Sequence, residues 1–253
     1  MIQEGNVSYT IEGEIGTIEF FHPSHNSMPG SLLSALASQI HQAGQDKDSK
    51  VLILKSAGEK TFCAGASFDE LAAIEDPEIG HHFFMGFANV INAMRKCPKL
   101  IIGRVQGKAI GGGVGLASST DICYATEQAS VKLSELAVGI GPFVVGPAVE
   151  RKIGLSAMTQ LAIDATGFQS AEWARQKGLY AEVYASIHEM DHAIQSLAEK
   201  LASSSPEAMA DLKGIFWQGA QHWDELLSSR AGISGRLVLS HFTKNAIAQF
   251  KSK

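Results

Sequence analysis

At 253 residues, with 45% hydrophobic and 19% charged side chains, the chain is long enough to bury a sizeable core as one large domain or a domain with an appendage. A formal net charge of −5 and the lack of any Lys or Arg run exclude the basic surface that nucleic acid or an anionic membrane would need. No apolar run approaches the length of a membrane span, and the start MIQEGNVSYT lacks the basic and apolar regions of a signal peptide, so the expected compartment is the cytoplasm.

Taken in order, Val7 to Thr10 and Ile15 to Phe20 flank Glu12-Gly13-Glu14 and predict an N-terminal hairpin. The loop HPSHNSMPG follows, and Pro29 suits the first turn of a helix with Leu32, Leu33, Leu36 and Ile40 on one face. The continuous apolar run Val51 to Leu54 predicts a strand covered on both faces. SAGEKTFCAGASFDELAAI then places small residues at a turn before helical sequence from about Phe68. Pro77 to Lys96 predicts a long helix striped by Phe83, Phe84, Phe87, Val90, Ile91 and Met94, which Pro98 stops.

Leu100 to Gln106 predicts a strand, and Gly111, Gly112 and Gly113 a tight turn into a helix. Ile122 to Ala125 and Val131 to Leu133 predict further short strands. This order of strand and helix predicts an α/β domain with successive turns at one end of the strands. From Pro142 onward the pattern is mostly helical, and VVGPAVERKIG, SAMTQLAIDATG, SAEWARQKG, EMDHAIQSLAEKLASS, SPEAMADLKGIFWQGAQ and SHFTKNAIAQFK are the candidates. Trp173, Phe216, Trp217 and Trp223 enrich that region in aromatic faces that would need a partner.

Two readings of the glycine turn stay open at this point. Three glycines allow either close helix–strand packing or close approach of backbone to a ligand, and the first N–H groups of a helix favour negative charge. Gly107-Lys108 is followed by Ala109, which is not a P-loop, and the spacing of Gly111, Gly113 and Gly115 is not the dinucleotide fingerprint. Cys63, Cys97 and Cys123 form no C-x-x-C pair and read as small buried residues rather than a disulfide framework or zinc site. His81 and His82 would point about 100° apart on a helix, a poor metal pair. His22 and His25 flank a loop, where a surface or structural role outweighs ligand contact. There is no G-x-S-x-G elbow, no H-E-x-x-H, no kinase motif and no internal repeat.

FHPSHNSM, FCAGASFDEL, VQGKAIGGGVGLASSTDICYAT, VKLSELAVGIGP and SGRLVLSHFTKNAIAQF together resemble the crotonase, or enoyl-CoA hydratase/isomerase, superfamily over nearly the whole chain. The resemblance implies a crotonase-like α/β fold, a spiral of β-β-α units. It also implies a core over residues 1–195, a helical trimerisation region over 196–253, and assembly as a homotrimer or homohexamer. Acyl-coenzyme A would be the substrate, with no further cofactor and no metal. The backbone N–H groups of Ala66 and Gly112 would form an oxyanion hole for the thioester carbonyl, which makes the α-carbon easier to deprotonate. Ala64, Gly65, Ser67, Gly111 and Gly113 would lie along the substrate, and Lys251 would meet a phosphate. Many relatives carry Asp at the position of Ser67.

The resemblance also assigns hydratases two glutamates. One falls at Glu135, between Leu133 and Leu136, where an apolar setting would raise its pKa. The other falls at Gly115, which has no side chain. A single carboxylate beside an enolate hole suffices to move a proton, as in Δ3,Δ2-enoyl-CoA isomerases, whereas adding water with one is harder. Phe143 stands where dehalogenases and dienoyl-CoA isomerases place an acid, and suggests an apolar wall for an acyl chain. The expected activity is therefore isomerisation, with a single-glutamate hydratase or a non-catalytic acyl-CoA binding protein as alternatives; decarboxylases stay open.

Overall fold

The computed structural model describes residues 5–251, with side chains to 249. Strands β1 (Asn6–Glu12) and β2 (Ile15–Phe21) form the hairpin, joined by Gly13 at φ 50°. Helix α1 (Gly30–Gln45) follows. Then come β3 (Val51–Ser56), β4 (Thr61–Cys63), the short α2 (Phe68–Ala72) and α3 (Pro77–Lys96). The pattern repeats with β5 (Ile101–Val105), β6 (Lys108–Ile110) and α4 (Gly112–Ser119), and again with β7 (Ile122–Thr126) and β8 (Ser130–Lys132).

The first strand of each later pair enters one sheet and the second enters another. Six strands line up as β1-β2-β3-β5-β7-β10, parallel except for the hairpin, and four as β4-β6-β8-β9. The expected β-β-α units are present. The two sheets bring the turns after β4 and β6 side by side.

The apolar run Val51 to Leu54 is covered on both faces, as expected. Leu52 and Leu54 join the main core with α1 and α3, while Val51 and Ile53 pack with Met190 and Ile194 of α7 (Ile187–Ala202). Alternation along a strand sends successive side chains to opposite faces, so a strand buried on both sides must be apolar throughout.

The remaining elements are α5 (Gly146–Ile163), β9 (Gln169–Ser170), α6 (Ala171–Gln176), β10 (Glu182–Tyr184), α8 (Pro206–Phe216), α9 (Trp223–Leu237) and α10 (His241–Lys251). Gly154, at φ 75°, breaks α5 in two, which is where the sequence separates VVGPAVERKIG from SAMTQLAIDATG. Helix α9 is absent from the sequence-based candidates. Its buried stripe runs from Trp223, Leu227 and Ala231 to Ser234 and Gly235, where it crosses α3 backbone to backbone: a Cβ on Gly80 would lie 2.7 Å from Cα of Gly235.

The C-terminal aromatics require a correction. Trp217 and Trp223 are buried within this chain, with ring centroids 5.6 Å apart in a T-shaped pair, so neither needs a partner subunit. Phe216 is exposed and Trp173 half-buried. Beside the tryptophan pair lies a buried ion pair: Lys213 Nζ is 2.8 Å from Oδ2 of Asp121, which also accepts from the Ile101 amide.

Cys63, Cys97 and Cys123 are buried free thiols. Among the described residues no helix is long and apolar enough to cross a membrane, and no cluster of His, Cys, Asp and Glu could hold a metal ion.

Candidate active site

The two turns meet across a narrow gap. Gly65 has φ 88°, a left-handed conformation that suits glycine, and a Cβ there would stand 2.9 Å from the Ile110 carbonyl oxygen and 3.6 Å from the Gly112 nitrogen. Met28 bridges the first turn in parallel fashion: its N–H donates to Gly65 O (2.8 Å), and the Ser67 N–H donates back to Met28 O (3.3 Å). In such a bridge the intervening residue directs its own amide to the opposite side, so the Ala66 N–H faces away from Met28. Gly112 is the first residue of α4, where an N–H has no partner within the helix. Both amides thus belong to turns that line one pocket with Ala64, Gly65 and Gly111.

Glu135 closes this pocket. It stands at the head of the 3-10 turn Leu136–Val138, and its own carbonyl accepts from the Val138 and Ile140 amides, which fixes the backbone. Its carboxylate reaches back over Gly111, where a Cβ would lie 2.9 Å from Oε1. Gly111, at φ 52° and ψ −114°, is thus required both by conformation and by the glutamate above it. The residue is half-buried, but Oε2 is shut off from solvent and has no hydrogen-bond partner. Loss of solvation disfavours the charged form and pushes the carboxyl pKa up to about 7.

Apart from Ser134 and Ser234, the rest of the pocket is lined by apolar side chains and glycine. Phe84 and Phe87 of α3 line it on one side, and Phe143 and Val145 on another. Phe143 is where the sequence suggests a wall, folded so that a Cβ on Gly141 would meet its ring at 2.5 Å. Gly113 does not line the pocket; a Cβ on it would lie 2.5 Å from the Cys63 carbonyl, so it serves the packing of α4 on β4. The glycine run therefore answers to both of its open readings, Gly111 and Gly112 at the pocket and Gly113 in the packing.

A longer groove continues from the pocket through Ala64, Ala66, Phe68 and Ser134. His22, Ser24, His25 and Ser27 border it, so both loop histidines do reach a concave surface. That loop is pinned by Asn26, whose side-chain amide donates to Ala57 O (2.8 Å) and Thr61 O (2.9 Å). Ser67 lines the groove while its hydroxyl caps α2 by accepting from the Glu70 N–H. Lys132 and Ala246 complete the walls, and the Lys132 ammonium sits 4.3 Å from the Phe168 ring centroid. The side chain of Lys251 lies outside the described residues.

Sequence reasoning missed Ser134, Val145 and Ser234 as pocket residues. Ser134 adjoins Glu135 and was within reach of the motif. Ser234 comes from α9, about a hundred residues away in sequence, and no local signal marks it.

The family model described as enoyl-CoA hydratase/isomerase matches residues 10–245. The chain belongs to this enoyl-CoA hydratase/isomerase family. A peroxisomal Delta(3,5)-Delta(2,4)-dienoyl-CoA isomerase of Arabidopsis thaliana is 29% identical over 209 residues, 76% of this chain and 73% of the relative. A short-chain-enoyl-CoA hydratase of Clostridium acetobutylicum is 28% identical over 251 residues, 98% of this chain and 95% of the relative. The crystal structure of an enoyl-CoA hydratase from Bacillus halodurans superposes with a TM-score of 0.89 at 18% identity, covering 96% of this chain and 99% of that one. The likeness confirms the crotonase-like fold. Members of this enoyl-CoA hydratase/isomerase family thus carry both isomerase and hydratase names at similar distance from the chain.

Proposed function

We propose that this enzyme moves a double bond in an acyl-CoA thioester, as a Δ3,Δ2-enoyl-CoA isomerase, with Glu135 as the shuttling acid and base. The observation that carries the reading is the unpartnered, buried carboxylate oxygen of Glu135, placed over Gly111 at the head of α4. It is the only ionisable group among the residues lining the pocket, and a lone carboxylate with a pKa near 7 is suited both to take a proton and to return it.

On this reading the thioester carbonyl sits between the Ala66 and Gly112 amides. Glu135 removes a proton from C2 of a 3-enoyl-CoA; the freed electron pair delocalises onto the thioester oxygen, where the two amides stabilise the negative charge. The dienolate collapses with a new double bond between C2 and C3, and Glu135 returns the proton to C4. Nothing is oxidised or reduced, so no cofactor beyond the coenzyme carried by the substrate is needed. The coenzyme arm would follow the groove past Ala64, Gly65 and Ser67, with Lys132 as a cation at its edge.

Hydration is the second reading, favoured by the short-chain-enoyl-CoA hydratase that aligns over 98% of the chain. It requires one group to activate water and another to protonate C2, and the pocket supplies one. Assembly as a trimer or hexamer through residues 196–253 belongs to the same proposal, supported by Leu212, Ile215, Phe216 and Phe242, all exposed on α8 and α10. The cytosol fits three reduced thiols.

The deciding assay follows both reactions in deuterated water. The proposal expects interconversion of 3-enoyl- and 2-enoyl-CoA, with deuterium entering C2 or C4, and slow hydration of crotonyl-CoA. Fast hydration with no action on 3-enoyl-CoA would overturn it.

A further inference from the structure

The pocket lined by the two turns, Glu135 and the aromatic side chains has a volume of about 70 Å³. An engineered apolar cavity of about 150 Å³ holds one benzene ring, so roughly half that volume holds the last two or three carbons of a short chain. The walls are aromatic and already packed. Phe87 is buried and its ring packs directly against Gly112. Phe84 is held edge-on by Phe83, with centroids 5.4 Å apart and planes at 83°.

On the far side of that pair lies a second, larger cavity of about 480 Å³ between α1, α2 and α3, which Phe83, Ile74, Ser34 and His82 border. Phe84 faces the small cavity and Phe83 the large one. The Phe83–Phe84 ring pair stands between them beside α2, which gives Leu71 to the small cavity and Glu70 to the large one. Among the described residues no cation lines the small cavity, and its one charge is the Glu135 carboxylate. A carboxylate on the acyl group would be buried without a counter-ion and would face a like charge.

We infer that the acyl pocket selects short, uncharged acyl groups of about four carbons, and that Phe84 is the side chain that sets the limit by closing off the cavity behind it. The inference rests on the acyl-CoA reading above, and its test separates the two.

Titration calorimetry would compare free coenzyme A, butyryl-CoA, octanoyl-CoA and succinyl-CoA, saturated thioesters that the proposed chemistry leaves unchanged. Butyryl-CoA is expected to bind at least about tenfold more tightly than octanoyl-CoA, the factor that corresponds to the lower end of overpacking costs. Succinyl-CoA, of the same length but with a carboxylate, is expected to bind at least about tenfold more weakly than butyryl-CoA. Phe84→Ala should raise octanoyl-CoA affinity by about tenfold or more and leave butyryl-CoA within a few fold. Phe84→Leu keeps more of the packing and should shift the ratio in the same direction by less.

Octanoyl-CoA binding as tightly as butyryl-CoA to the unaltered enzyme would overturn the size limit. An unchanged ratio in the folded Phe84 variant would overturn the role of that ring. Absence of binding by all three thioesters and by free coenzyme A would instead overturn the acyl-CoA reading itself.

Discussion

A Cβ on Gly115 would lie 2.5 Å from Cγ1 of Val145 and 2.7 Å from its Cβ. The position where hydratases are expected to carry a second glutamate is therefore filled, from the opposite side, by a valine that lines the pocket. Gly115→Glu alone should lose about 1–3 kcal/mol of stability by overpacking and gain no hydration. Alanine at 145 would keep the obstructing Cβ, so the informative partner is Val145→Gly. The double variant Gly115→Glu/Val145→Gly should hydrate crotonyl-CoA at least about tenfold faster than the parent, the low end of what a general acid or base contributes. A spectrophotometric hydration assay alongside a thermal melt checks both statements.

The Glu135 carboxyl, raised to about 7 by burial, gives a pH dependence with a definite sign. As the base it must be ionised, so kcat/KM for isomerisation should rise about tenfold per pH unit below the pKa and level off above it. Stability runs the other way. The folded state holds this proton up to about pH 7 and the unfolded chain releases it near pH 4.5, so stability is greatest at low pH and falls as pH rises through that window. Glu135→Gln should remove that dependence and be more stable than the parent at pH 8 by roughly 3 kcal/mol, measured by denaturant titration at several pH values.

The same variant separates binding from turnover. With the groove and the two backbone amides intact, Glu135→Gln should keep acyl-CoA affinity within a few fold while isomerisation drops by about a hundredfold or more. Calorimetry and a single-turnover assay on one preparation measure the two effects. Loss of binding would make the carboxylate structural.

Far from the pocket, Lys213 and Asp121 are 3% and 5% exposed, and each is satisfied by the other and by neighbouring groups. Truncating one partner leaves the other charge buried. Lys213→Met should cost about 3–5 kcal/mol, with Asp121 keeping the Ile101 amide and the Trp217 indole N–H but losing its closest cation. Chemical denaturation measures this.

If the C-terminal helices assemble the enzyme as proposed, sedimentation at micromolar concentration should give a trimer or hexamer. A charge on their exposed apolar residues, such as Ile215→Glu, should shift the distribution towards monomer. A stable monomer in the unaltered enzyme would count against the proposal.

The sequence was a good guide where chemistry is local. Pro77 and Pro98 bracket α3 to the residue, VLIL announces a strand buried on both faces, and the two strand-to-helix turns come from contiguous motifs. It was a poor guide where contact depends on distant partners. Helix α9 crosses α3 backbone to backbone at Gly235, a contact that no apolar side chain announces. Trp217 and Trp223 look like an unpartnered face until folding places them edge to face. The valine that fills the gap at Gly115 is thirty residues downstream, and nothing in its local pattern points back to the glycine.

The crossing of Gly80 and Gly235, at which a single added methyl would meet backbone, also limits how this protein can be rearranged. Ser234, the residue next to that crossing, lines the pocket, and α3 supplies Phe84 and Phe87 to the same wall. A boundary drawn at residue 196 therefore does not mark a detachable module. A chimaera that exchanged residues 196–253 for those of a relative would import one half of a glycine joint cut for another partner, and the mismatch would be felt first as a displaced aromatic wall and a changed choice of acyl chain.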